Sequence, residues 1–164
     1  MTVLRTRAKG TRQRGFTIIE VLIVTIIIGV LASLVMPTIR VEMARAKMSE
    51  VIGMFGKCRN WITEIYLYET NLPTADNWGC ESETGKPVSQ YVDSIHTSLD
   101  GIIKATINGT NDLRMDWHTV TLAPLDANGN LMSDTGRVVR WRCGNPADGT
   151  DVERKLLPSS CNGS

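Results

Sequence analysis

The sequence predicts an α+β protein, in which one long N-terminal α-helix packs on a small antiparallel β-sheet and its first half can cross a membrane. Three observations predict it. Phe16 to Met36 is an apolar run of 21 residues broken only by Thr17, Glu20, Thr25, Gly29 and Ser33, which meets the ~20 residues a spanning helix needs. Beyond Pro37, Val51, Phe55, Cys58, Ile62 and Ile65 recur at steps of three and four, the period of one helix face. From Ile103 onward apolar and polar residues alternate instead, the period of strands with one covered face.

Charge orients the anchor. The first 14 residues carry Arg5, Arg7, Lys9, Arg12 and Arg14 and no acid, whereas the rest holds 13 basic and 17 acidic residues, a net of −4. Basic residues stay on the cytoplasmic side of an inserted segment, so the body is expected on the far side. Its mildly acidic balance argues against nucleic-acid binding by bulk charge. Cys58, Cys80, Cys143 and Cys161 all follow the anchor. An even count in a translocated body reads as two disulfides, and spacing alone leaves three pairings open. No close cysteine pair exists, and His96 and His118 lie far from every cysteine, so no zinc pattern forms.

Glu20 decides between three readings of the N-terminus. A secretion signal would be cut after Val30-Leu31-Ala32, and an ordinary single-pass anchor would explain the length and the basic flank. Both leave Glu20 without a purpose, although a carboxylate at the membrane centre costs ~2.5–3.5 kcal/mol or more. The third reading gives it one. The stretch "RGFTIIEVLIVTIIIGVLASLVMP", Arg14 to Pro37, resembles the leader junction of type IV pilins, and of type IVa major pilin precursors in particular. The matching pieces are Gly15, Phe16, Thr17, Glu20, the unbroken apolar run and Pro37. The resemblance implies cleavage after Gly15 by a prepilin peptidase that also N-methylates Phe16. It further implies that Glu20 neutralises the new α-amine of an adjacent subunit, a cation at neutral pH. A misregistered subunit would leave two buried charges unpaired.

The elements follow in order. Residues 1–15 form the basic leader, 16–37 the membrane and assembly half of the helix, and 38–69 its amphipathic half. The helix is expected from Phe16 to about Tyr68, where Thr70-Asn71-Leu72-Pro73 stops it. Gly29 and Pro37 bracket a weak region, because proline removes a backbone donor and glycine lowers helix propensity. The resemblance implies that this region can unwind in assembled pili. Residues 70–100 lack helical periodicity and read as a connecting loop, a length that calls for a staple. Strands are expected around Ile103–Ile107, His118–Leu122 and Val139–Arg142, parted by Asn108-Gly109 and Asn128-Gly129 turns, within a 101–164 sheet region. "NWGCES", "TVTLAP", "VVRWRC" and the tail ending "LLPSSC" resemble the loop, strands and C-terminal disulfide loop of the same family. That resemblance implies the pairs Cys58–Cys80 and Cys143–Cys161.

No motif points to catalysis or to a cofactor. Asp126, Asn128 and Asn130 mimic the start of a calcium loop, but Leu131 and Arg137 occupy positions six and twelve, so a turn is expected. Arg137, Arg140 and Arg142 around Trp141 suggest a small DNA- or surface-binding patch, yet alternation places Arg140 and Arg142 on an outer sheet face anyway. Asn108-Gly109-Thr110 and Asn162-Gly163-Ser164 match the N-glycosylation pattern, and some members of the family carry a glycan on a terminal serine, which makes Ser164 a candidate. The resemblance implies a structural pilus subunit serving adhesion, twitching motility or DNA uptake. Its partners would be copies of itself, the prepilin peptidase and N-methyltransferase, an inner-membrane assembly platform with ATPases, an outer-membrane secretin and minor pilins. The precursor would sit in the inner membrane with a periplasmic body, then join an extracellular pilus. A minor pilin or a type II secretion pseudopilin is the alternative in the same fold. A membrane-tethered surface or DNA-binding protein that does not polymerise is the alternative from another class.

Overall fold

The computed structural model describes residues 15–83 and 85–163, the side chains of Pro37 and Thr38 excepted. Most of the leader and Ser164 lie outside the described residues. Helix α1 spans Ile18–Tyr68, followed by β1 (Val92–Thr97), β2 (Ile103–Ile107), β3 (Thr119–Leu125) and β4 (Arg140–Cys143). Short 3-10 helices occupy Pro146–Asp148 and Arg154–Leu156. The strands form one antiparallel sheet in the order β1-β2-β3-β4. The chain divides into two compact units, one ending at Thr38 and one spanning Ile39–Ser164.

The second unit, here called the head, holds the core. Ala44, Met48, Val51, Phe55, Cys58, Ile62 and Tyr66 are buried along one face of α1, and Val92, Ile95, Ile103, Ala105, Ile107, Val120 and Leu122 complete the same cluster from the sheet. Each fully buried large apolar side chain contributes about 1.5–3 kcal/mol. The helical face assigned from spacing is present, except that Ile65 is only half-buried and Tyr66 takes the inward position. Trp78 packs on Tyr66 with ring centroids 5.3 Å apart.

The sheet begins earlier than the sequence reading placed it. β1 lies inside the segment read as a loop over 70–100, and the physical reason is a bulge. Register shifts between Val92 and Ser94, so the buried residues Val92 and Ile95 stand three apart and the period-two signature is lost. The loop before β1 covers that strand's outer edge. Ser82 N–H donates to Ile95 O at 3.0 Å, Asp76 N–H to Thr97 O at 3.1 Å, and the Asp76 carboxylate accepts from Thr97 N–H at 3.0 Å. An edge so occupied offers no template for another strand. Thr121 also departs from expectation. Alternation assigned it an outward position, but it is fully buried, with its hydroxyl 2.7 Å from that of Thr150, where residues 150–151 close beside the start of β3.

Two disulfides fasten the head, Cys58–Cys80 and Cys143–Cys161, the pairing that the resemblance implied. The first ties the loop to α1. The second closes a loop whose chain-entropy value is about 3 kcal/mol, and Gly144 beside it has no room for a side chain. At its φ of +74° a Cβ would meet Leu157 at 2.7 Å and Cys161 O at 2.9 Å. Next to Cys80, the Glu81 carboxylate accepts the N–H groups of Trp78 (2.9 Å), Gly79 (2.8 Å) and Cys80 (3.0 Å) and the Thr97 hydroxyl. Burial alone would raise its pKa, but these donors outweigh burial and hold it below the usual glutamate value.

Because the folded-state pKa is depressed, the contribution of Glu81 to stability is complete above the unfolded value near ~4.3. It is lost as pH falls through the lower folded value. Urea unfolding of wild type and Glu81→Gln at pH 6 and pH 3 checks this. The variant should lose about 1–3 kcal/mol at pH 6 and show a smaller difference between the two pH values than wild type.

Candidate functional site

The candidate site is the N-terminal part of α1, and its local structure starts at Thr17. Thr17 caps the helix: Glu20 N–H donates to Thr17 Oγ1 at 3.3 Å and to Thr17 O at 3.1 Å, and Val21 N–H to Thr17 O at 3.4 Å. The spacing Thr17-x-x-Glu20 is that of a capping box, in which the glutamate returns a bond to the cap's own N–H. Only the threonine half forms here. Among the described residues no hydrogen bond or ion pair engages the Glu20 carboxylate. The cap was not foreseen from sequence, although the T-x-x-E signal was there to read.

The helix beyond it is matched to an apolar surrounding. The two other polar side chains in the run bond to their own helix, Thr25 Oγ1 to Leu22 O at 2.9 Å and Ser33 Oγ to Val30 O at 2.7 Å. Backbone and hydroxyl groups are therefore satisfied inside the segment, as a bilayer requires. Every side chain from Phe16 (80 % exposed) to Met36 (61 % exposed) is exposed. The continuous apolar surface they make is not one that a soluble monomer carries. α1 is the one helix among the described residues that is long and apolar enough to cross a membrane. Its backbone is helical across both Gly29 and Pro37. Glu20 is thus the single polar side chain left over.

The other residues singled out from sequence are placed in the head. Asp126 forms a turn, its carboxylate accepting the backbone N–H groups of Asn128 (2.9 Å) and Asn130 (2.8 Å). Trp141 is half-buried against the core, Arg137 and Arg140 are exposed, and Arg142 is engaged. Its Nε and Nη2 donate to the buried Asp148 carboxylate at 2.8 and 2.6 Å. His96 Nδ1 lies 3.1 Å from Asp76, whereas His118 Nδ1 lies 3.4 Å from Asp151 without the geometry of a hydrogen bond. Asn108 is half-buried and Asn162 exposed.

Comparison with known proteins agrees with this geometry. The family model for pilins, proteins of bacterial filaments, matches residues 44–162, and that of the prokaryotic N-terminal methylation motif matches residues 10–36. The chain is 30% identical to a type IV major pilin protein PilE1 of Neisseria gonorrhoeae over 93% of this chain and 95% of that protein. It is 31% identical to the fimbrial protein EcpC of Eikenella corrodens, over 91% and 90% of the two chains. A fimbrial protein of Neisseria meningitidis serogroup A is 27% identical over 93% and 95%.

Since every buried core residue among the described ones lies at Ala44 or beyond, the head should fold without the anchor. Removing residues 1–38 is expected to give a soluble monomer with both disulfides and the far-ultraviolet spectrum of an α+β domain. The full chain should instead need detergent. Size-exclusion chromatography with circular dichroism checks both.

Proposed function

This chain belongs to the pilin family of bacterial filament proteins, and on that premise we propose that it is a major type IV pilus subunit that polymerises through the N-terminal half of α1. The observation that carries the proposal is the exposed apolar helix from Phe16 to Met36 with one unpartnered acid, Glu20. Lipid covers that surface in the precursor, and neighbouring copies cover it in the filament. The chemistry the subunit supplies is assembly; it transforms no substrate.

The steps follow from charge. A prepilin peptidase cuts after Gly15 and methylates the amine of Phe16, discarding a leader whose five cations hold the N-terminus in the cytoplasm. The new amine and Glu20 lie four residues apart, about one helical turn. Bringing the Phe16 amine of one copy to the Glu20 carboxylate of another lets two desolvated charges compensate each other and selects the axial register. The segment from Gly29 to Pro37 is the helix's weak point on assembly, because Pro37 lacks the N–H that would close its turn. An inner-membrane platform with ATPases, an outer-membrane secretin and minor pilins belong to this reading as the machinery of assembly. Adhesion and twitching motility are its expected outputs.

Sequencing of the mature N-terminus should read methylated Phe16 followed by Thr17; a start at Ser33 would mean an ordinary secretion signal. Glu20→Ala should be cleaved normally yet reduce surface filaments at least tenfold when sheared material is weighed against wild type. Full piliation of that variant would remove the pairing role.

A further inference from the structure

Three asparagines in the chain are followed by glycine, Asn108, Asn128 and Asn162, and the fold treats the three pairs differently. We propose that Asn108-Gly109 is a self-modifying site, at which the folded chain converts Asn108 to aspartate and isoaspartate through a succinimide while Asn128 and Asn162 are held back. The proposal does not depend on whether the chain polymerises, and water is the only reagent it needs.

An asparagine reacts in this way when the backbone nitrogen of the next residue reaches its side-chain Cγ. That nitrogen gives its proton to solvent hydroxide and bonds to Cγ. The carboxamide nitrogen then leaves as ammonia, taking up a proton from water. The resulting cyclic imide is opened by water at either carbonyl. One opening gives aspartate, and the other gives isoaspartate, whose backbone runs through the side chain. Glycine is the follower that crowds the attacking nitrogen least, and a nitrogen already held beside the carbon avoids much of the entropic cost of approach.

At Gly109 the nitrogen is held in that place. Its N–H donates to Asn108 Oδ1 at 2.8 Å, which lays the carboxamide against the nitrogen that would attack it. The amide turned over would set its NH2 group against the same N–H, donor against donor, so this orientation is fixed. Gly109 is exposed and Asn108 half-buried, so hydroxide and water reach the pair. The glycine itself is demanded by the fold. Its φ is +84°, and a Cβ there would lie 2.6 Å from Gln90 O, so a larger residue that would slow the attack does not fit.

The other pairs direct their nitrogen elsewhere. Gly129 N–H donates to Asp126 O at 3.3 Å, inside the turn in which the Asp126 carboxylate accepts Asn128 N–H. Gly163 N–H donates to Cys143 O at 2.7 Å, beside the second disulfide. Either nitrogen must break a backbone bond before it can turn on its neighbour. The aspartate–glycine pairs, which cyclise by the same route with loss of water, are held likewise. Gly101 N–H donates to Ser98 O at 3.1 Å and Gly149 N–H to Pro146 O at 3.0 Å. Exposure alone would rank the asparagines the other way, since Asn128 and Asn162 are exposed.

The change falls at a joint of the sheet. Asn108 N–H donates to Tyr91 O at 3.2 Å just past the end of β2, and the loop from Gly109 returns to that strand where Trp117 N–H donates to Ile107 O at 2.6 Å. The loop is tightly specified between these points. Met115 is fully buried, the exposed Trp117 is held in the left-handed region at φ +67°, and Lys47 Nζ donates to Thr110 O at 2.6 Å. An isoaspartyl link adds a methylene to the backbone between fixed anchors and moves the loop out of register with them. The aged chain is therefore a loosened one.

The test incubates the full chain in detergent in warm, mildly alkaline buffer, beside a second sample that is unfolded and reduced. Peptide mapping by mass spectrometry follows the mass gain of deamidation at each asparagine, and isoaspartate is labelled with isoaspartyl methyltransferase. In the folded chain Asn108 is expected to convert at least tenfold faster than Asn128 or Asn162, and in the unfolded chain that lead should vanish. An Asn108 that stays intact in the folded chain, or leads by the same margin unfolded, would overturn the proposal. The aged wild type should also melt below the fresh chain. Asn108→Gln, whose longer side chain cyclises slowly, should keep its melting temperature through the same incubation. A wild type that melts unchanged after ageing, or a variant that falls with it, would contradict the loosening.

Discussion

The rest of the structure depends on one constraint: α1 has a covered half and an uncovered half. From Ala44 to Tyr66 one face of the helix is sealed by the sheet, and from Phe16 to Met36 every side chain is exposed. At about 25 cal/mol per Å² of apolar surface, leaving that half in water is prohibitive. The hydroxyls of Thr25 and Ser33 turn back on their own backbone, so nothing but Glu20 asks for water. The hydroxyls in the run are therefore satisfied whether lipid or a bundle of like helices surrounds them. In the proposed filament the acid is what distinguishes the second environment from the first, because there a neighbour's amine can meet it.

A helix committed outward leaves the head to be stable with half a helix and four strands. The head adds covalent and charged fastenings to its core packing. Cys58–Cys80 and the Glu81 carboxylate act on the same few residues, one tying the loop to α1 and the other gathering its amides around Trp78. Cys143–Cys161 and the Arg142–Asp148 pair do the same for the C-terminal segment. Edge strand β1 is spared from pairing with strangers by the loop bonded along it. That protection matters for a protein meant to associate through chosen surfaces only.

Much of this was legible in the sequence, and the reasons are physical. An apolar run with a single acid is a strong pattern because the environment that tolerates it is so restrictive. The core face of α1 showed in the spacing of Val51, Phe55, Cys58 and Ile62, since helix geometry fixes which residues share a side. The cysteine pairing did not follow from spacing, and family likeness supplied it. β1 escaped because a bulge between Val92 and Ser94 breaks alternation, and Thr121 was misplaced because residues 150–151, distant in sequence, close beside it. At the site, Glu20 was recognised by its cost, while the cap made by Thr17 went unread although its spacing was plain. The exposed Trp117 loop depended on a positive φ and a buried Met115, neither of which a linear pattern displays.

The central claim is that Glu20 is half of a charge pair completed by a second copy of the chain. A cryo-electron microscopy reconstruction of sheared filaments tests it most directly. The account predicts the methylated amine of Phe16 within about 4 Å, the ion-pair range, of the Glu20 carboxylate of an adjacent subunit, inside a core of packed helices. Glu20 facing solvent, or an amine neutralised elsewhere, would contradict it.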